Sequence, residues 1–159
     1  MKSDTEILVI SGMSGAGRST IAHRLEDLGW YVVDNLPPAL LGNLIELVST
    51  SVKKVAVVID VRGRAFFDDL TKSLAELADL GISRKILFVD AADDSLVRRF
   101  ESTRRPHPLQ GADRILDGIA KERERLHEIR DSADIIIDSS ALNIHQLEKK
   151  ISDYFHEDS

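Results

Sequence analysis

The chain has 159 residues, 21 basic and 27 acidic side chains, a net charge of −6 and no cysteine. That is one domain's worth of sequence with an ordinary apolar share of 43%. Disulfides, thiol catalysis and cysteine-ligated zinc are excluded, and the acidic balance argues against a domain-wide electrostatic grip on nucleic acid. No apolar run approaches the roughly 18–20 residues of a membrane span, and Met1 to Glu6 lacks a signal-peptide layout, so no membrane partner and a cytoplasmic location are expected.

The first predicted element is the apolar strand Ile7-Leu8-Val9-Ile10, and the first predicted helix carries Ile21, Leu25 and Leu28 at helical spacing. Between them stands Gly12-Met13-Ser14-Gly15-Ala16-Gly17-Arg18-Ser19. Strand, glycine-rich turn and helix form the context of a phosphate-binding loop, G-x-x-x-x-G-[basic]-[Ser/Thr]. Gly12 and Gly17 hold the fixed positions and Gly15 adds a third flexible point, so successive amides can turn inward around a phosphate beside the helix N-terminus. Ser19 is expected to place its hydroxyl on a magnesium ion. Arg18 stands where Lys is usual, a planar fork in place of a compact ammonium, so phosphate binding follows from the motif more directly than hydrolysis does.

Further strands are predicted at Trp30 to Val33, Val55 to Ile59, Ile86 to Val89 and Ile135 to Ile137. Helical spacing recurs at Leu41 to Val48, Leu70 to Leu77, Ile115 to Ile129 and Ile144 to Tyr154. Alternation of this kind predicts a parallel sheet with helices on both faces. Ligands of such sheets bind at the C-terminal strand ends, where Ser11, Asp34, Asp60, Asp90 and Asp138 stand. Asp60 has the strongest claim, because Val55 to Asp60 has the form of a hydrophobic strand whose terminal carboxylate holds magnesium or its water. The turn Val61-Arg62-Gly63-Arg64 reads equally as a nucleotide contact and as a solvated turn. Asp34, before Asn35-Leu36-Pro37-Pro38, could orient a water or an acceptor hydroxyl, or simply form the turn. Asp90 is expected to be structural.

Arg98, Arg99, Arg104 and Arg105 form the densest positive patch and precede Pro106-His107-Pro108, where the helix stops and a lid can begin. Arginines at a lid base neutralise charge over a nucleotide, although a solvated face accounts for Arg98 or Arg99. Lys121 to Arg125 alternates in charge and reads as an exposed helix face without chemistry. Asp138-Ser139-Ser140 reads as a cap of the last helix or as lining of the base pocket, with capping the expected role.

Gly12 to Ser19, Glu26-Asp27-Leu28-Gly29-Trp30, Val33 to Pro38, Asp60 to Arg64, Thr103-Arg104-Arg105-Pro106-His107-Pro108-Leu109 and Ile137 to Asn143 together resemble the RapZ/YvcJ family of bacterial P-loop proteins, also called RNase adapter proteins. The resemblance spans essentially the whole chain. It implies a kinase-like, three-layer P-loop NTPase fold with a five-stranded parallel sheet. It also implies an ATP site at Gly12, Met13, Ser14, Gly15, Ala16, Gly17, Arg18 and Ser19, a GTP-associated segment at Asp60, Val61, Arg62 and Gly63, and weak ATPase and GTPase activity. The resemblance also implies a second, C-terminal domain of comparable size in family members, which in the enterobacterial adapter binds small regulatory RNA and also a sugar phosphate. The 159 residues are therefore expected to be a single P-loop domain without that RNA-binding half.

The leading functional expectation is a regulatory domain that binds ATP and GTP and hydrolyses them slowly with Mg2+. Arg18, Asp34, Asp60, Arg104 and Arg105 are the catalytic candidates, and Ser19 and Asp60 the metal ligands. Small RNA or an RNase would be partners of the longer parent, and a homo-oligomer is compatible with this reading. A small-molecule or nucleotide kinase is the alternative, and an RNA-binding module through Arg98 to Arg105 is the third.

Overall fold

Strand and helix alternate as the apolar pattern requires. The computed structural model describes residues 5–48, 50–59, 64–103 and 115–155. The order is β1 (Glu6–Gly12), α1 (Arg18–Asp27), β2 (Tyr31–Val33), a 3-10 turn (Pro38–Leu40), α2 (Leu41–Val48), β3 (Lys54–Val58) and α3 (Arg64–Asp79). It continues through β4 (Ser83–Asp90), α4 (Asp93–Thr103), α5 (Ile115–Asp131), β5 (Ile135–Asp138) and α6 (Ile144–Phe155).

The five strands form one sheet in the order β2-β3-β1-β4-β5, every pairing parallel. The crossover from β1 to β2 runs in one direction along the sheet, while those from β3 to β4 and from β4 to β5 run in the other. Right-handed connections therefore place α1 on one face and α3 and α5 on the opposite face. α6 packs on α1, and α3 touches both α2 and α5, which completes the three layers. Covered on both sides, β1 keeps Ile7, Leu8, Val9 and Ile10 at 2% exposure or less.

Burial on the α1 face comes from Ile21 and Leu25 of α1 and from Leu147 and Ile151 of α6. Trp30 closes its edge, edge-on to Phe155 at 5.9 Å between centroids, with the Lys54 ammonium 5.7 Å from the indole centroid. Pro38 is buried and its carbonyl accepts a hydrogen bond from Ser73 Oγ (3.0 Å), which ties the turn after β2 to α3.

Most strand ends move by one or two residues from the sequence reading, and two differences are larger. β4 begins at Ser83, because Ser83, Arg84 and Lys85 pair with Glu6, Ile7 and Leu8 although their side chains are exposed. The N-cap of α6 is Asn143, not the Asp138-Ser139-Ser140 stretch. Asn143 Oδ1 accepts from the Gln146 N–H (2.8 Å) and Gln146 Oε1 from the Asn143 N–H (2.9 Å), a reciprocal cap. Among the described residues no helix is long and apolar enough to cross a membrane.

Candidate functional site

β1 is the middle strand, and its register brings Ile10 opposite Val58 and Gly12 opposite Val89. The glycine loop therefore leaves the centre of the sheet at the C-terminal strand ends, where open α/β sheets bind ligands. Gly12 is required by close approach: a Cβ there would lie 2.5 Å from Val89 Cγ1 and would overlap the Val89 carbonyl. Gly17 is required by conformation, with φ of 124°, and an added Cβ would lie 2.6 Å from Leu147 Cδ2. Met13 and Ala16, both 1% exposed, are apolar anchors that point the loop's ends into the core.

Four carbonyls of the loop are occupied. Met13 O accepts the Ala16 N–H (3.0 Å), and Gly17 O accepts the Ile21 N–H (3.0 Å) and opens α1. Gly15 O accepts Arg99 Nη1 (3.1 Å), and Ala16 O accepts the Ser139 hydroxyl (2.5 Å). Arg99 also donates to Ser139 Oγ (3.0 Å) and the Ser139 carbonyl (2.5 Å), so α4 and the end of β5 brace the loop from outside.

The amide side carries the opposite character. The N–H groups of Gly17, Arg18, Ser19 and Thr20 precede the first intrahelical bond of α1 and have no partner within the helix. Gly17 supplies no side-chain cap, and the first turn contains no acidic residue. Arg18 is half-buried and Ser19 exposed on that turn, so a cation and a hydroxyl flank a row of donors at the positive end of a helix. The arrangement suits a phosphate oxyanion and, through Ser19, a cation bound with it.

Two α5 residues from the stretch read as a solvated face take part. Glu122 accepts the Ser14 N–H through Oε1 (2.8 Å) and the Ser14 hydroxyl through Oε2 (2.6 Å). Arg123 bonds Asp93 Oδ1 (2.7 Å), Asp90 Oδ1 (2.9 Å) and the Ala91 carbonyl (2.6 Å). Burial pulls the Arg123 pKa down, but the hydrogen bonds and charges of Asp93 and Asp90 outweigh it and leave the pKa raised. Asp90 also accepts Arg130 Nε (3.1 Å) and the Ala91 N–H (2.7 Å), the structural role expected of it. A cavity of about 320 Å³ opens beside this network, lined by Met13, Phe88, Asp90, Arg123, Leu126 and Arg130 among others.

The remaining candidates fall at different distances from the loop. Asp34 is exposed after β2, the edge strand, with β3 between it and β1. Ile59 donates its N–H to the Ile10 carbonyl (3.0 Å), which carries the chain after β3 to the base of the loop. Asp60, Val61, Arg62, Gly63, Arg104 and Arg105 lie outside the described residues. Arg98 is exposed, whereas Arg99 is turned onto the loop. Asp138 forms a local turn, accepting both the hydroxyl (2.5 Å) and the N–H (2.8 Å) of Ser140. Those two bonds, the hydroxyl's first, hold its carboxyl below the usual aspartate range.

A glycine loop between the middle strand of a parallel sheet and an uncapped helix defines a P-loop domain, and solved structures share its fold. Shikimate kinase from Acinetobacter baumannii, in complex with shikimate, superposes with a TM-score of 0.63 at 12% identity, covering 96% of this chain and 93% of that one. Shikimate kinase from Bacteroides thetaiotaomicron gives 0.61 at 15% identity over 94% and 96%. The fold is that of the kinase-like P-loop proteins.

The RapZ-like N-terminal domain matches residues 5–159, and the chain belongs to that family. A nucleotide-binding protein of Streptomyces coelicolor is 60% identical over 153 residues, covering 94% of this chain and 51% of that protein. One from Leifsonia xyli is 56% identical over 157 residues, covering 97% and 53%. The chain spans about half the length of the curated relatives it matches.

Proposed function

We propose that the domain binds ATP and GTP with Mg2+, hydrolyses them slowly, and serves as the regulatory nucleotide-binding half of a cytoplasmic RNase-adapter-like protein. The observation that carries this reading is the polarity of the loop: carbonyls bonded outward, donors left on the other side at the start of α1. Similarity to proteins named nucleotide-binding supports it.

In this reading the loop from Gly12 to Ser19 and Arg18 hold the phosphates. Ser19 and Asp60 would hold a magnesium ion, which when bound would neutralise phosphate charge. Asp34 positions water, Arg104 and Arg105 neutralise developing charge, and Asp60 to Gly63 contribute to the GTP contact. Small RNA and RNase contacts belong to the longer parent rather than to this acidic domain.

Calorimetric titration with ATP and GTP in the presence of Mg2+, on this protein and on Gly17→Ala, tests the proposal. Saturable binding that is lost in the folded variant supports it, and equal behaviour of the two proteins refutes it. Release of ADP at a rate independent of added metabolites supports hydrolysis over the kinase alternative, which the shared fold alone suggests; dependence on a phosphoryl acceptor reverses that choice.

A further inference from the structure

Two loop amides are committed to backbone carbonyls, Met13 N–H to Val89 O and Ala16 N–H to Met13 O. Arg99 and Ser139 brace the loop from outside through the Gly15 and Ala16 carbonyls. Glu122 does the opposite. Its carboxylate takes the Ser14 N–H at 2.8 Å and the Ser14 hydroxyl at 2.6 Å, two donors of the kind a phosphate oxygen would use.

The carboxylate is also held at this place by its own helix. Arg123, the next residue, is fixed to Asp90, Asp93 and the Ala91 carbonyl, so α5 cannot withdraw Glu122 without breaking those bonds. A phosphate on the Ser14 side of the loop would stand a few ångströms from an ionised carboxylate, and like charges that close disfavour each other. Occupancy by phosphate and the Glu122–Ser14 contact therefore compete for the same donors.

We propose that Glu122 sets the phosphate affinity of the loop: it is an internal anion seated on Ser14 that an incoming phosphate must displace. The proposal rests on the nucleotide-binding reading and adds a residue-level control to it. The movement it requires is small, a change of side-chain rotamer at Glu122 with α5 left in place by Arg123. Ligands that fill only the α1 end of the loop escape the competition, whereas those that extend a phosphate to Ser14 meet it.

The test is titration with Mg-ATP and with pyrophosphate on the unaltered chain, Glu122→Gln, Glu122→Ala and Gly17→Ala. Loss of one charge-assisted competitor should tighten binding to Glu122→Gln by roughly tenfold or more. Glu122→Ala removes both bonds and leaves the Ser14 donors in place, so it should tighten binding by a comparable factor; it also serves as the probe if Glu122→Gln does not fold. In amide NMR spectra of the free protein, the Ser14 resonance should move in Glu122→Gln toward its position in the pyrophosphate-loaded parent.

Weaker or unchanged binding by folded Glu122→Gln and Glu122→Ala overturns the proposal while leaving the nucleotide site intact. Equal binding by the parent and Gly17→Ala overturns the nucleotide site itself. Binding by Glu122→Gln but not by the parent supports both. Failure of every variant to bind refutes both.

Discussion

Ser139→Ala tests the brace that gives the loop its polarity. Ser139 is 1% exposed, and its hydroxyl donates to Ala16 O and accepts from Arg99 Nη1. Truncation removes a single oxygen, so the cavity term is slight, and the main cost is a buried carbonyl left without its donor. A buried polar group so orphaned costs about 1–3 kcal/mol, and that is the expected loss in urea unfolding. Arg99→Ala alone, at a half-buried guanidinium, should cost less. Because the two residues share one network, the double variant should cost less than the sum of the singles, with a coupling of about 0.5 kcal/mol or more. Phosphate binding should fall with the loop's order, roughly tenfold if about 1.4 kcal/mol of the loss is felt in the bound state. Stability within about 0.5 kcal/mol of the parent together with unchanged affinity, or strict additivity in the double variant, would refute the brace.

Asp90→Asn weakens the bonds to Arg123 and Arg130 and should destabilise by about 1–3 kcal/mol, a range discounted for the partial exposure of both arginines; thermal melting that is unchanged would contradict it. Ser11→Ala should raise stability by about 1 kcal/mol, because Ser11 Oγ is buried without a partner among the described residues and its removal relieves desolvation; a clear loss in chemical denaturation would show that the hydroxyl is satisfied in solution. Asp138→Asn probes acid stability. The Asp138 carboxyl titrates below the ordinary aspartate value of 3.8, so its stabilising contribution is complete above that pH and fades as pH falls through the lowered value. The variant should therefore lose the part of the acid unfolding limb lying below about pH 4, and an identical limb would rule the contribution out.

The fold was legible because buried parallel strands leave continuous apolar runs and because the loop, with a strand before it and a helix after it, has a fixed spacing. β4 shows where that signal ends: Ser83 to Lys85 keep the backbone ladder while their side chains reach solvent, so hydrophobicity gives no sign of them. The bracing residues were harder to read because their partners are remote in sequence. Glu122 meets Ser14 across 108 residues, Arg99 meets Gly15 across 84, and Ser139 meets Ala16 across 123.

A local signal was nevertheless present. Ile119, Glu122, Arg123 and Leu126 stand at the i, i+3, i+4, i+7 positions of one helical stripe, and its two ends are buried core residues. A charged pair on an apolar stripe is a pair with partners, which the alternation of charge along Lys121 to Arg125 concealed. Ser139 continues the in-out alternation of Ile135, Ile136, Ile137 and Asp138 and so falls on the inward side. Arg99 stands in register with buried Leu96 and Phe100 on α4.

Amide chemical-shift mapping on addition of Mg-ATP reports directly on which backbone groups hold the phosphates. Saturable shifts should concentrate at Ser14 to Thr20, with a response at Glu122 as its carboxylate leaves Ser14. Shifts confined to another surface, such as the cavity between α5 and β4, with the loop amides unmoved, would contradict phosphate binding by the loop.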